Sequence, residues 1–89
     1  MSHERLAYLI QAHQDALQTD PQARATHETI LSIFRALDQG DITAGRAVYL
    51  LGYQAVHWAD EPAQAALYRQ AAAHLRQMQR EKQARDGPA

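Results

Sequence analysis

The segment that decides the fold of this chain is Ile42-Thr-Ala-Gly-Arg-Ala-Val-Tyr-Leu-Leu-Gly-Tyr-Gln-Ala-Val-His-Trp-Ala59. It carries one formal charge, on Arg46, although charged residues make up 21% of the whole chain. A helix that is apolar on every side must be covered on every side, by its own chain or by another one. The segment therefore predicts a central helix that lies against its own core on one side and against a partner on another.

Three further segments have the periodicity of amphipathic helices, and none has the alternation of a strand. The four predicted helices run from Ser2 to Gln18, from Pro21 to Gln39, from Ile42 to Ala59, and from Pro62 to Lys82 or slightly beyond. Asp20 is suited to cap the second helix and Pro21 to occupy its first position. Gly40 is suited to end this helix in a left-handed conformation, and Asp41 or Thr43 can cap the third helix. The short connections predict antiparallel neighbours.

These segments predict an all-α fold: a small four-helix bundle-like domain over residues 1–86, followed by a frayed tail at 87–89. The core is expected to be thin, because 18 of the hydrophobic residues are Ala and only 16 residues are Leu, Ile, Val or Phe. There is no Cys, so disulfides cannot support it. Self-association is the remaining inexpensive route to stability, and we expect a homodimer to complete the fold.

The longest run without a formal charge, residues 47–59, is too short for a membrane span, which needs about 20 apolar residues. The N-terminal residues contain no apolar stretch of signal-peptide length. We therefore expect a soluble, cytoplasmic protein with no membrane partner.

The predicted interface is centred on the third helix. Gly45, Gly52 and Ala59 are spaced by seven residues, so they share one helix face where another backbone can approach closely, either within the chain or across a dimer. Tyr and Trp combine a large apolar body with a polar group, which suits interfaces as well as the edges of a core. The candidate interface residues are Gly45, Tyr49, Gly52, Tyr53, Val56, Trp58 and Tyr68.

The charge of the chain is uneven. Residues 1–62 have 4 Arg and 8 acidic residues, a net charge of −4, whereas residues 63–89 have 5 basic and 2 acidic residues, a net charge of +3. One interpretation is an ordinary basic face on a surface helix, and the other is a strip that binds an acidic partner or a second copy. The candidate basic strip consists of Arg69, Arg76, Arg80, Lys82 and Arg85.

Residues 44–54, Ala-Gly-Arg-Ala-Val-Tyr-Leu-Leu-Gly-Tyr-Gln, resemble the first helix and turn of a helix-turn-helix motif. The resemblance places the turn at Gly52 and an apolar anchor at Trp58, and it implies a DNA-binding transcriptional regulator supported by the basic fourth helix. The segment that corresponds to the recognition helix, 54–59, has no Arg or Lys and runs into Asp60 and Glu61. Because phosphate neutralisation dominates DNA affinity, DNA binding is the alternative hypothesis.

No pattern in the sequence indicates catalysis, a metal site or a cofactor site. The five histidines are scattered, and no two have the i, i+4 spacing of a helical metal site. The chain has no thiol and no Gly-rich phosphate loop. The sequence therefore predicts a non-enzymatic protein-binding module, an adaptor, inhibitor or regulatory accessory protein, whose partners are a second copy of itself and another protein.

Overall fold

The computed structural model describes residues 3–86, with only the backbone described for residues 3, 85 and 86. Four α-helices follow one another: α1 (His3–Thr19), α2 (Arg24–Asp38), α3 (Ala44–His57) and α4 (Pro62–Asp86). No strand occurs among these residues. The all-α prediction is confirmed, whereas the tail predicted at 87–89 lies outside the described residues.

The start of α2 differs from the prediction. Pro21–Ala23 forms a short 3-10 helix, and the α-helix begins only at Arg24. Asp20 precedes this turn, but its side chain makes no capping hydrogen bond. The Asp20 carboxylate instead faces the ring of His27, 3.3 Å away, so the capping role predicted for Asp20 is wrong.

The α2–α3 connection follows the local chemistry of its residues. Gly40 has φ +81°, the left-handed conformation predicted for it. The amide of Gly40 donates to the Leu37 carbonyl and that of Asp41 to the Ala36 carbonyl, the hydrogen-bond pair of a Schellman motif. Thr43 then caps α3, because its hydroxyl oxygen accepts a hydrogen bond from the Arg46 amide at 3.1 Å.

Packing places α1 against α2 and α3 against α4, while α2 also contacts both α3 and α4. One apolar core joins all four helices. Its members are Leu6, Leu9, Ile30, Phe34, Leu37, Ala47, Leu51, Ala55, Tyr68, Ala71, Ala72, Leu75 and Met78. Four of these residues are Ala, so small side chains make up much of the contact between α3 and α4.

The molecule is elongated, with principal extents of 46 × 24 × 19 Å. At 25 residues α4 is the longest helix, and the residues that follow Met78 are not buried. Arg5 ties this end of α4 to α1, because its guanidinium donates to both carboxylate oxygens of Glu81. Among the described helices, none is both long and apolar enough to cross a bilayer.

Candidate functional site

The side chains of α3 divide into a covered and an uncovered face. Ala47, Leu51 and Ala55 are buried in the core. On the opposite side Tyr49 is 59% exposed, Tyr53 61% and Val56 77%. Their spacing of four and three residues places these three side chains in one row along the helix. Apart from Tyr8 on α1, they are the only exposed large hydrophobic residues in the described part of the chain.

The structure brings together most of the predicted interface. Successive α-helical residues are about 100° apart, which places Gly45 and Gly52 beside the row of exposed side chains. We call this surface the outward face of α3, and it consists of Gly45, Tyr49, Gly52, Tyr53 and Val56.

Two predicted interface residues are not on this face. Tyr68 is 1% exposed and lies within the core, because the register of α4 directs Tyr68 inward and leaves Leu67 only partly buried. Trp58 is partly buried and packs against the core, with its ring 6.0 Å from that of His57. The prediction that Tyr68 belongs to the interface is wrong, because its side chain is covered by its own chain.

The glycines of α3 do not receive a neighbouring helix of this chain. A Cβ placed on Gly45 or Gly52 would meet no atom within 4 Å beyond its immediate surroundings in the helix. The predicted close approach within the chain is therefore wrong at both positions. The other half of that prediction, close approach by a second chain, requires the open space that the structure shows.

The helix-turn-helix interpretation of 44–59 also meets a structural contradiction. It requires a turn at Gly52, but α3 continues without interruption from Ala44 to His57. Residues 44–59 thus form one helix and its C-terminal end, not two helices separated by a turn. The motif predicted there is wrong.

Only part of the predicted basic strip forms a row. Arg69, Arg76 and Arg80 are exposed, and their spacing of seven and four residues places them along one side of α4. Lys82, also exposed, lies on the opposite side of the helix by the same geometry. The side chain of Arg85 lies outside the described residues. Within the described part of the chain neither Arg69 nor Arg76 has an ion-pair partner.

An open groove of about 400 Å³ runs between α3 and α4. Its floor consists of small residues: Gly52, Ala55, Ala59 and Ala72. Val56 stands on the α3 side, and Arg69 and Arg76 stand on the α4 side. We call this surface the α3–α4 groove.

A histidine pair that the sequence did not indicate lies between α1 and α2. The Nδ1 atoms of His13 and His27 are 2.8 Å apart, and the rings are 5.0 Å apart between centroids. The rings of His13 and Phe34 pack in a T-shaped arrangement, with 5.6 Å between centroids. Both histidines occupy apolar helical rows, His13 four residues after Leu9 and His27 seven before Phe34. This periodicity was the available signal that they point inward.

The pKa of His13 is lowered from 6.5 to about 4, chiefly by burial and to a smaller extent by the nearby His27 and His74. The ring atom Nδ1 of His74 is buried and has no hydrogen-bond partner among the described residues. The described side chains include no group of three or more His, Cys, Asp or Glu arranged to hold a metal ion. His13 and His27 form a partly buried polar contact at the edge of the core.

Comparisons of this chain with protein-family models, with curated proteins and with solved structures find no match.

Proposed function

We propose that this protein is a non-enzymatic protein-binding module that acts through helix–helix contacts centred on the outward face of α3. The observation that carries the proposal is the row of Tyr49, Tyr53 and Val56, each more than half exposed on the most apolar helix of the chain. An apolar row of this kind is typical of helix-in-groove and helix-on-helix recognition. Tyr residues contribute large contact areas at such interfaces.

The first occupant that we propose for this face is a second copy of the chain. A two-fold interface places the same surface of each copy against itself, so a face with many like charges would be repelled. A face with few charges is therefore suited to self-association. Arg46 is the one charged residue of α3, and its guanidinium lies over the Tyr49 ring, 5.2 Å from the centroid. The open space at Gly45 leaves room for a Tyr ring of the other copy. Dimerisation would complete a bundle-like core that is thin in one chain.

Light scattering or sedimentation tests this proposal directly. We expect a mass of about twice the chain mass of 10.0 kDa. The double variant Tyr49→Ala/Tyr53→Ala is expected to be a monomer. Tyr8→Ala is the matched control, because Tyr8 is 72% exposed but lies on α1, and it should leave the dimer intact. A wild-type chain that is still monomeric at about 1 mM, a concentration at which even weak dimers form, excludes the dimer.

Site-specific photo-cross-linking tests recognition of other proteins. A benzoyl-phenylalanine at position 53 is expected to give a discrete adduct in cells, and the same group at position 8 is expected to give none. An adduct at twice the chain mass identifies the second copy, and one of any other mass identifies another protein. Equal yields at positions 53 and 8 contradict a binding role for the outward face of α3.

A further inference from the structure

The α3–α4 groove combines an apolar floor with positive charge along one edge. The floor consists only of glycine and alanine, the two smallest residue types: Gly52, Ala55, Ala59 and Ala72. Small residues allow a second helix axis to come within about 8–10 Å, the spacing of well-packed helices. The exposed Val56 adds an apolar side chain on the α3 edge. The shape is suited to a helix with a narrow, apolar face.

No described residue forms an ion pair with the arginines that line the groove. Arg69 and Arg76 line its α4 edge, both are exposed, and neither has an ion-pair partner among the described residues. They are seven residues apart on a continuous helix, which separates them by about 10 Å along its axis. Two carboxylates at the same spacing on a facing helix match both guanidinium groups at once.

We propose that the α3–α4 groove binds an amphipathic helix of another protein, one that presents small apolar residues to the floor and two acidic residues seven apart to Arg69 and Arg76. This deepens the proposed function and rests on it, since it names the partner that a module of this kind recognises. A second copy of this chain does not supply the match, because no two of its acidic residues are seven apart. The partner is therefore a different protein.

Charge near the groove favours a helix over a nucleic acid. Ala59 at the end of the floor is followed directly by Asp60 and Glu61, which are both exposed. These carboxylates repel a continuous phosphate backbone, whereas a peptide helix can place a basic or neutral residue there. A carboxylate–guanidinium pair is also directional, because the two planar groups form parallel hydrogen bonds.

The probe for this proposal is a fluorescein-labelled, alanine-rich helical peptide of about 20 residues, with two Glu seven positions apart and Ala and Leu on the adjoining face. Its anisotropy is measured with the full chain, beside a peptide in which both Glu are Gln and a labelled DNA duplex of equal length. We expect the acidic peptide to bind and the Gln peptide to bind at least tenfold more weakly. Higher salt should narrow this difference, because it screens the exposed arginines.

Protein variants then assign the contacts. Arg69→Gln/Arg76→Gln is expected to weaken peptide binding at least tenfold, while Arg35→Gln, an exposed arginine on α2, leaves it unchanged. Gly52→Leu is expected to block the groove without unfolding α3, since its Cβ has open space, and circular dichroism confirms the fold.

Three results overturn the proposal: no binding of the acidic peptide, binding that does not depend on Arg69 and Arg76, or arginine-dependent binding of the DNA duplex instead. The same variants separate it from the broader proposal. A dimer lost in Tyr49→Ala/Tyr53→Ala beside a wild-type chain that ignores the peptide supports the protein-binding role and removes the acidic helix as its partner.

Discussion

The Nδ1 atoms of His13 and His27 lie 2.8 Å apart, so one of the two rings must donate a proton to the other. The other nitrogen of His27, Nε2, faces the Asp20 carboxylate at 3.3 Å, and a carboxylate only accepts. In the neutral pair His27 therefore carries its proton on Nε2, and His13 donates from Nδ1 to the bare Nδ1 of His27. Asp20 thus sets the tautomer of both histidines.

This arrangement predicts that stability falls in mild acid. The folded-state pKa of His13 is about 4, below the 6.5 of an unperturbed His, so the unfolded chain binds the proton more tightly. The contribution of neutral His13 to the free energy of unfolding is fully present above pH 6.5 and is lost as the pH falls towards 4. The shift corresponds to at most about 3 kcal/mol, and solvent access to the partly exposed ring reduces this to roughly 1–2 kcal/mol. Urea unfolding at pH 7.5 and 4.5 measures the difference.

The groups that face His13 are His27 from α2, His74 from α4 and, through His27, the Asp20 carboxylate. The variant His13→Gln is expected to flatten the pH dependence because it removes the group that titrates. His57→Gln changes an exposed histidine of α3 and should leave the dependence as it is. An unchanged pH profile in His13→Gln would show that another group controls the acid sensitivity.

The Asp20–His27 contact predicts a second effect. Asp20→Ala removes the acceptor that fixes the His27 tautomer, and we expect a loss of about 1 kcal/mol of stability at pH 7.5, the usual size of one net hydrogen bond. A double-mutant cycle with His27→Gln isolates the contact, because His27→Gln should cost less in the Asp20 variant than in the wild-type chain by the energy of the Asp20–His27 contact. Additive losses would mean that Asp20 acts on the 3-10 turn alone.

Where single residues control the backbone, the sequence predicted the structure closely. Gly40 takes the left-handed conformation, Thr43 caps α3 and α4 begins at Pro62, since each of these depends on the chemistry of the residue itself. Helical periodicity also predicted that Tyr49, Tyr53 and Val56 share one face of α3, but not that this face is the uncovered one.

Features that depend on how one helix meets another could not be predicted. Tyr68 is buried because of the register of α4 against the other helices, which its own sequence does not state. Asp20 had a plausible local role as a cap, but the tertiary contact with His27 displaced it. The α3–α4 groove likewise combines residues that are up to 24 positions apart, Gly52 and Arg76.

Replacing glycine by alanine is predicted to raise stability at two positions and to lower it at a third. Gly45 and Gly52 are inside α3 and have open space at Cβ, so Gly45→Ala and Gly52→Ala should each stabilise the fold by about 0.5–1 kcal/mol. Gly40 also has open space but φ +81°, where an L residue is strained by about 1–2 kcal/mol, so Gly40→Ala should destabilise. Thermal unfolding of the three variants at low protein concentration compares them. A loss at Gly52→Ala that appears only at high protein concentration would indicate that a second chain occupies the space.

Leu51 and Tyr53 are two residues apart on α3, and substitutions there compare a core position with a surface position. Leu51 is fully buried, and Leu51→Ala removes packed atoms and leaves a cavity, for which we expect a loss of about 2–5 kcal/mol. Tyr53 is 61% exposed, so Tyr53→Ala should change the stability of the monomer by less than about 0.5 kcal/mol. Urea unfolding monitored by circular dichroism measures both, at a low and a high protein concentration. If Tyr53→Ala is destabilising only at the high concentration, Tyr53 stabilises an assembled form rather than the single chain.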